Sequence, residues 1–260
     1  MKKILVGSPV HQKPLILKEF LNSLSRLESE NLEIHFLFID DNEDLNSSDI
    51  LKTFSNDHPN VTIFKNTEGL AYNPDSHQWK EEVIIKVGKN KDKILNFAEM
   101  NSFDFVFLAD SDLVLHPKTL IHLASLEKEV VSEVFYTAWT EGSLEMPQVW
   151  LYDVYEFTND KALSQEEKAN KFFEFYNMLK EKGVYPVGGL GACTMISKSA
   201  LEKGVSFEQI YNLTFWGEDR HFCIRAAAFG IELFASTFYP PFHIYRDSDL
   251  AKVSDFWQNI

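Results

Sequence analysis

Carboxylate side chains stand in pairs at three places in this sequence, and the first pair has the spacing of a cation site. Asp110 and Asp112 lie two residues apart directly after an apolar run, so both carboxylates could face one hard cation. Oxygen ligands of this kind suit Mg²⁺ or Mn²⁺, which in turn bind phosphate oxygens. Asp and Ser are also common in turns. The position of Asp110-Ser111-Asp112 after a buried strand favours the cation site.

The second pair, Asp40-Asp41, also ends an apolar run. A carboxylate there could accept a hydrogen bond from a nucleobase N–H or a ribose hydroxyl. It could equally form an Asx turn that leads into the next helix. No G-x-G-x-x-G follows the first apolar run, which argues against a dinucleotide site, and the absence of G-x-x-x-x-G-K-[ST] excludes a P-loop.

The third pair, Glu218-Asp219, opens an apolar helical segment. Acids are favoured in a first helical turn by the dipole, and one of them could also serve as a general base toward a hydroxyl. His243 is a lone histidine, a type that is commonly structural, but beside Asp112 it would complete a metal site. The run Gly188-Gly189-Leu190-Gly191 would let a ligand approach the backbone, or it marks a bulge.

The elements between these residues would bring them to one edge of a sheet. Apolar runs predict strands at 3–6, 32–39, 61–64 and 103–109, and helical spacing predicts helices near 17–27, 48–55 and 91–100. This alternation predicts an α/β fold, a mostly parallel central sheet with helices on both faces. Ligands bind at the carboxyl ends of such strands. Gly7-Ser8, Asp40-Asp41 and Asp110-Ser111-Asp112 are all expected at that edge.

The second half of the chain differs in composition. Aromatic residues are frequent over 135–157, and Ser164 with Glu167 fits a capping box that starts a helix. A loop of about 20 residues, Lys65 to Val83, interrupts the first half, and loops of that length are often functional. No linker rich in Pro, Gly or Ser divides the chain, so one domain over 1–260 is expected.

Composition excludes several partners and environments. The chain of 260 residues carries 39 acidic and 25 basic side chains, a net charge of −14, which argues against a nucleic-acid or anionic-membrane partner. Cys193 and Cys223 form no CxxC pair and indicate a reducing compartment. No apolar stretch approaches the roughly 20 residues of a membrane span. We expect a cytoplasmic protein that could dock at a membrane through a partner, and exposed aromatics that could serve a homodimer.

In their order along the chain, these motifs resemble the nucleotide-sugar glycosyltransferases of the GT-A fold, above all the large family 2 group. The resemblance spans nearly the whole chain, from Ile4 to about Arg246. Each motif is weak alone, but five in the expected order are specific. The resemblance implies a GT-A fold in which residues 1–115 form the donor half and residues 116–260 form the acceptor half.

The resemblance also implies a role for each matching residue. Asp41 would hold the nucleotide base, usually uracil, assisted by the backbone near Ser8. Asp110 would touch the ribose, the metal or a metal-bound water. Asp112 would bind Mn²⁺ or Mg²⁺ directly, and His243 would be another ligand.

Catalysis would fall to the acidic pair that opens the last long helix. Asp219 would be the base of an inverting transfer, favoured over Glu218 because Asp219, Phe222 and Arg225 match the family's spacing. The remaining residues implied at the donor site are Ser111, Gly189, Trp216 and Lys91. Lys91 stands near the family's frequent Arg-Asn pair and would meet the diphosphate, although a solvated helix start is equally compatible.

The expected activity is therefore a metal-dependent hexosyl transfer from a UDP- or GDP-sugar, UDP being favoured, to a hydroxyl of a glycan or another acceptor. Three alternatives remain from the residues: a non-catalytic sugar-nucleotide or glycan-binding protein on the same fold, a retaining transferase, and a nucleotidyltransferase. The last is disfavoured, because residues 7–14 contain one glycine and one lysine where those enzymes carry a glycine-rich basic loop. A processive synthase is disfavoured because the Q-x-x-R-W motif is absent.

Overall fold

The computed structural model describes residues 1–66, 81–214 and 217–260. In this part of the chain the strands are β1 (Lys2–Val10), β2 (Leu32–Asp40), β3 (Val61–Lys65), β4 (Phe105–Leu108), β5 (Leu113–Val114), β6 (Val130–Glu133), β7 (Tyr136–Thr137), β8 (Met146–Pro147), β9 (Val149–Trp150), β10 (Val184–Val187), β11 (Gly189–Leu190), β12 (Thr194–Ser197), β13 (Leu233–Ser236) and β14 (Phe242–His243). The helices are α1 (Pro14–Ser25), α2 (Leu45–Asp57), α3 (Glu81–Met100), α4 (Thr119–Ser125), α5 (Gln165–Met178), α6 (Lys198–Glu202), α7 (Glu218–Ala228), a 3₁₀ helix (Asp247–Lys252) and α8 (Val253–Gln258).

An eight-stranded sheet in the order β10-β13-β6-β12-β4-β1-β2-β3 forms the centre of the fold. The pairs β3–β2, β2–β1, β1–β4 and β6–β13 are parallel. Strand β12 is antiparallel to both β4 and β6, and β10 is antiparallel to β13. Six strands therefore run one way and two the other, which confirms the mostly parallel sheet.

Helices cover both faces of this sheet, as the unbroken apolar strands predict. Along β1, Ile4 and Val6 pack into a core beneath α1, α2 and α4, whereas Leu5 between them packs into a core beneath α3, α6 and α7. Residues from both halves of the chain enter each core. The capping box of Ser164 and Glu167 is present at the start of α5.

Strand β1 is longer than its apolar run suggests. Gly7 and Ser8 do not end it but lie inside it, and pairing with β2 continues to Val10. Pairing with β4 stops at Gly7, so Pro9 faces no β4 residue and its missing N–H costs no hydrogen bond on that side. The carboxyl end of β1 therefore lies at Val10, four residues beyond the predicted end at Val6.

Helix α3 begins at Glu81, ten residues before the predicted start at Lys91. It packs on β1 at close range, since a Cβ on Gly7 would lie 2.3 Å from Ile94 Cγ2. Residues 67–80 of the expected loop lie outside the described residues. Among the residues that the structure describes, no helix combines the length and apolar character that a membrane crossing would need.

Replacing Gly7 with Ala should destabilise the protein by about 1–3 kcal/mol, because the new Cβ would overlap Ile94. Ile94→Ala alone should cost about 2–5 kcal/mol through its cavity. Since Ile94→Ala removes Cγ2 and Cδ1, the double variant should lose clearly less than the sum of the two. Urea unfolding of the four proteins measures this coupling, and strict additivity would show that the two residues do not limit the approach of α3.

Candidate functional site

A cavity of about 770 Å³ opens at the carboxyl ends of β1, β2 and β4, the edge at which the polar residues were predicted. Seven predicted site residues line it: Asp41, Asp110, Ser111, Asp112, Glu218, Asp219 and His243. They come from the ends of β2 and β4, the start of α7 and strand β14. The structure therefore brings both halves of the sequence to one site.

Asp41 and its neighbour Asp40 have different surroundings. Asp40 is buried and pairs with Lys65 at 3.0 Å, so it closes the end of β2. Hydrogen bonds from Lys65, Ser48 and Asn42 outweigh burial and lower the pKa of Asp40. Asp41 lines the cavity, where Lys86 Nζ lies 2.6 Å from its Oδ1. Of the two acids, Asp41 is the one placed to meet a ligand.

Strands β5 and β14 bring Asp112 and His243 together. His243 pairs with Leu113, and the Ile244 N–H donates to the Asp112 carbonyl at 2.9 Å. His243 Nε2 lies 3.6 Å from Asp112 Oδ2, and its Nδ1 is 2.9 Å from Thr137 Oγ1. Such a bond on one ring nitrogen orients the other toward a metal.

The Asp112–His243 pair has the chemistry of a partial cation site. Asp112 Oδ1 is buried and has no hydrogen-bond partner in the structure, which is costly unless a ligand satisfies it. Within residues 1–66, 81–214 and 217–260, no group of three or more His, Cys, Asp or Glu side chains is placed to hold a metal ion. A carboxylate and an imidazole fit Mn²⁺ or Mg²⁺ only if phosphate oxygens and water supply the remaining ligands, as is usual for these ions.

Asp110 lies within electrostatic range of both the Asp112–His243 pair and the acids of α7. Burial raises the pKa of Asp110 to about 6, and the carboxylates of Asp112 and Glu218 add to the rise while Lys91 opposes it. Burial opposes protonation of His243, yet Asp112 and Asp110 outweigh it and raise the pKa of this histidine.

The acids at the start of α7 share one lysine. Lys91 Nζ lies 2.7 Å from Glu218 Oε1 and 2.9 Å from Asp219 Oδ1. Burial raises the pKa of Asp219 to about 7, with Glu218 and Asp110 adding to the rise and Lys91 opposing it. A carboxyl group with a pKa near neutral pH is suited to general-base work.

Three of the predicted donor residues lie away from the cavity lining. Ser8 is fully buried, and its hydroxyl donates to the Pro9 carbonyl. A Cβ on Gly189 would lie 2.0 Å from Trp150 Cε2, so this glycine makes room for the indole. Lys91 is enclosed between α3 and α7. Trp216, a further predicted residue, lies outside the described residues.

Several cavity residues escaped the sequence reasoning. Lys86 was missed because the helix was predicted to begin only at Lys91, whereas α3 begins at Glu81. Gly191 belongs to the glycine run that was expected to admit a ligand, but only Gly189 of that run was assigned to the donor site; it is Gly191 that lines the cavity and borders Asp219. Tyr155 lines the cavity too, and the aromatic content of 135–157 was its only signal.

Asp219→Asn should change how stability depends on pH. The Asp219 carboxyl titrates near pH 4 when unfolded and near 7 when folded, so between these values the folded state binds more protons. Raising the pH through that window must then destabilise the wild type relative to Asp219→Asn. We expect the Tm of the wild type to fall further than the Tm of Asp219→Asn, by about 2–4 °C for each kcal/mol of this difference in stability.

Thermal unfolding from pH 5 to 8 measures this difference. Asp255→Asn, which changes an exposed carboxylate of α8, is the matched control and should follow the wild type. If the wild type instead became more stable relative to Asp219→Asn as the pH rises from 5 to 8, the raised pKa of Asp219 would be contradicted.

The fold matches solved structures at low sequence identity. S. aureus TarS 1-349 in complex with UDP-GlcNAc gives a TM-score of 0.54 at 16% identity, over 93% of this chain and 58% of that chain. A second S. aureus TarS structure gives 0.56 at 16% identity, over 98% and 39%. The mannosyltransferase PcManGT from Pyrobaculum calidifontis, in complex with GDP-Man and Mn²⁺, gives 0.54 at 14% identity, over 94% and 57%.

This chain therefore spans 39–58% of the length of these neighbours. No protein-family model and no curated protein sequence matches it. Identities this low bear on the fold alone, and they confirm the predicted one: the chain has a GT-A fold.

Proposed function

We propose that this protein is a glycosyltransferase that moves a sugar from a nucleotide-sugar donor to an acceptor hydroxyl. The observation that carries this proposal is one cavity lined by two kinds of functional group. Asp112, with a buried oxygen lacking a partner, stands beside His243, and Asp219, with a pKa near neutral pH, lines the same cavity. The solved neighbours with UDP-GlcNAc and with GDP-Man and Mn²⁺ support the same reading.

Asp41 and Lys86 would recognise the nucleobase. The carboxylate of Asp41 can accept from a base N–H while the ammonium of Lys86 donates to an adjacent carbonyl oxygen. Uracil and guanine both present such a donor beside an acceptor, so UDP- and GDP-sugars fit this pair. We keep UDP as the first candidate.

Asp112 and His243 would hold Mn²⁺ or Mg²⁺, with Asp110 at its edge. When bound, such a cation neutralises the charge that develops on a departing diphosphate. The chain's own part is to orient Asp112 through the β5–β14 pairing and His243 through Thr137.

Asp219 would act as the base of an inverting transfer. It takes the proton of the acceptor hydroxyl as that oxygen attacks the anomeric carbon, and the bond to the diphosphate breaks with its electron pair on the diphosphate. Glu218 stays paired with Lys91 and would not exchange protons with the acceptor.

The acceptor would enter along the aromatic side of the cavity, as expected for residues 116–260. Trp139 lines the cavity, is 51% exposed and meets Tyr245 edge-on at 5.6 Å. Flat apolar faces of this kind suit sugar rings.

The central sheet contains strands from both 1–115 and 116–260, which supports one domain. Two buried free thiols, Cys193 and Cys223, support a reducing compartment such as the cytoplasm.

Nucleotide binding should raise the Tm in a Mn²⁺-dependent way, because a ligand that binds only the folded state stabilises it. UDP, GDP and their sugar conjugates, each with and without Mn²⁺, form the panel. Asp112→Asn should abolish the dependence on Mn²⁺, whereas Asp57→Asn at the exposed end of α2 should keep it. Equal Mn²⁺-dependent shifts in both variants would contradict the role of Asp112.

Asp219→Asn should lower kcat by about 10²–10⁴-fold and leave nucleotide binding intact, since only the proton transfer is lost.

In the wild type, kcat/KM should rise about tenfold for each unit that the pH increases below an apparent pKa near 7, because only the unprotonated carboxylate is a base. Release of nucleoside diphosphate measures both. Binding of a donor without transfer or hydrolysis would instead favour a non-catalytic sugar-nucleotide-binding protein.

A further inference from the structure

Lys91 is a lysine enclosed in the protein interior. It lies on α3, and its side chain is 2% exposed. An ammonium group is stable there only with close partners of opposite charge. Lys91 Nζ has two, Glu218 Oε1 at 2.7 Å and Asp219 Oδ1 at 2.9 Å, and it lies 5.0 Å from the Phe207 ring centroid.

The slot around Lys91 is built by three segments. The next residue of α3, Asp92, accepts a hydrogen bond from the Phe207 N–H at 2.7 Å, which ties the helix to the segment before α7. Phe207 also stacks on Phe222 of α7, with ring centroids 4.6 Å apart. Lys91 therefore enters a rigid pocket, and its two ion pairs join α3 to the first turn of α7.

The ion pairs distinguish the two oxygens of Asp219. Lys91 binds Oδ1, whereas Oδ2 has no hydrogen bond to a described residue and lies 3.5 Å from where a Gly191 Cβ would be. Both Gly191 and Asp219 line the cavity. The lysine thus holds the carboxylate by one oxygen and leaves the other beside the open space.

The same ion pairs affect the ionisation of Asp219, the proposed catalytic base. Glu218, Asp110 and the thiol of Cys223 face Asp219 together with Lys91. Two neighbouring carboxylates disfavour the ionised form of Asp219, and the ammonium favours it. Removing Lys91 would leave the carboxylates facing one another without this cation.

We propose that Lys91 is a positioning residue for Asp219, which it holds by Oδ1 so that Oδ2 is presented to the acceptor hydroxyl. The catalytic half of this inference rests on the proposed function. Lys91 keeps its own protons throughout, since Oδ2 receives the proton of the acceptor. This differs from contact with the donor diphosphate, for which Lys91 would have to line the cavity.

Helix α3 provides a matched control. Lys86 is likewise largely buried, and it also pairs with a cavity carboxylate, that of Asp41. Unlike Lys91, it lines the cavity, at the proposed nucleobase site. Loss of Lys86 should act on donor binding and raise the donor KM more than it lowers kcat. Loss of Lys91 should act on kcat.

The experiment compares Lys91→Met, Glu218→Gln, the double variant Lys91→Met/Glu218→Gln and Lys86→Met. The double variant removes one positive and one negative charge, so it should fold even if Lys91→Met does not. Its crystal structure should show the Asp219 carboxylate displaced or in several conformers. Its kcat should fall about 10–100-fold, with the donor KM within about threefold of wild type and the acid limb of kcat/KM moved to higher pH.

Two results would overturn the inference: an Asp219 carboxylate unmoved in the double variant, or a double variant that turns over like Glu218→Gln with an unchanged pH profile. A wild type that releases no diphosphate from any UDP- or GDP-sugar would refute the proposed function instead. The position of Asp219 in the crystals would then still decide whether Lys91 positions it.

Discussion

A single ammonium group between two carboxylates ties the parts of this site together. Lys91 lies in the interior, where its charge is tolerated only because Glu218 and Asp219 approach within 2.9 Å. That requirement sets how closely α3 and α7 pack. It is met because small residues let α3 come near its neighbours: Gly7 admits Ile94, and a Cβ on Gly88 would lie 3.3 Å from the Glu218 Cβ. Breaking the ion pairs would leave buried carboxylates without a counter-ion, so the helix positions and the ionisation of the site depend on one another.

The topology of the fold brings the cavity's functional residues together from both halves of the chain. Parallel strands β1, β2 and β4 deliver Asp41 and Asp112 to one edge of the sheet, as ligand sites of open α/β sheets require. The proposed acceptor side is built by elements from the second half, and the short pairing of β14 with β5 brings His243 to Asp112. Neither half alone contains the partial cation site. The inverting glycosyl transfer that we propose needs a stabilised leaving group and a base, and this arrangement supplies residues for both.

Local patterns predicted the architecture and the edge where the site lies, because alternating strands and helices and acids after apolar runs are properties of short segments. They failed where long-range packing decides. Lys91 was expected at the diphosphate, yet its partners follow 127 and 128 residues later and no local signal indicates them. Ser8 was expected beyond the end of β1, but β2 continues to pair with it. The small residue opposite Asp219 is Gly191, whereas Gly189 accommodates Trp150, a difference that depends on the β9–β11 pairing.

The most direct test is a crystal structure of the protein with Mn²⁺ and UDP, and in parallel with GDP. We predict one nucleotide in the cavity, with its nucleobase against Asp41 and Lys86 and its diphosphate, with the ion, beside Asp112 and His243. The Asp219 carboxylate should remain open toward the side where an acceptor would lie. A nucleotide bound elsewhere, or an ion that ignores Asp112 and His243 while the diphosphate is present, would contradict the donor site on which the proposed function depends.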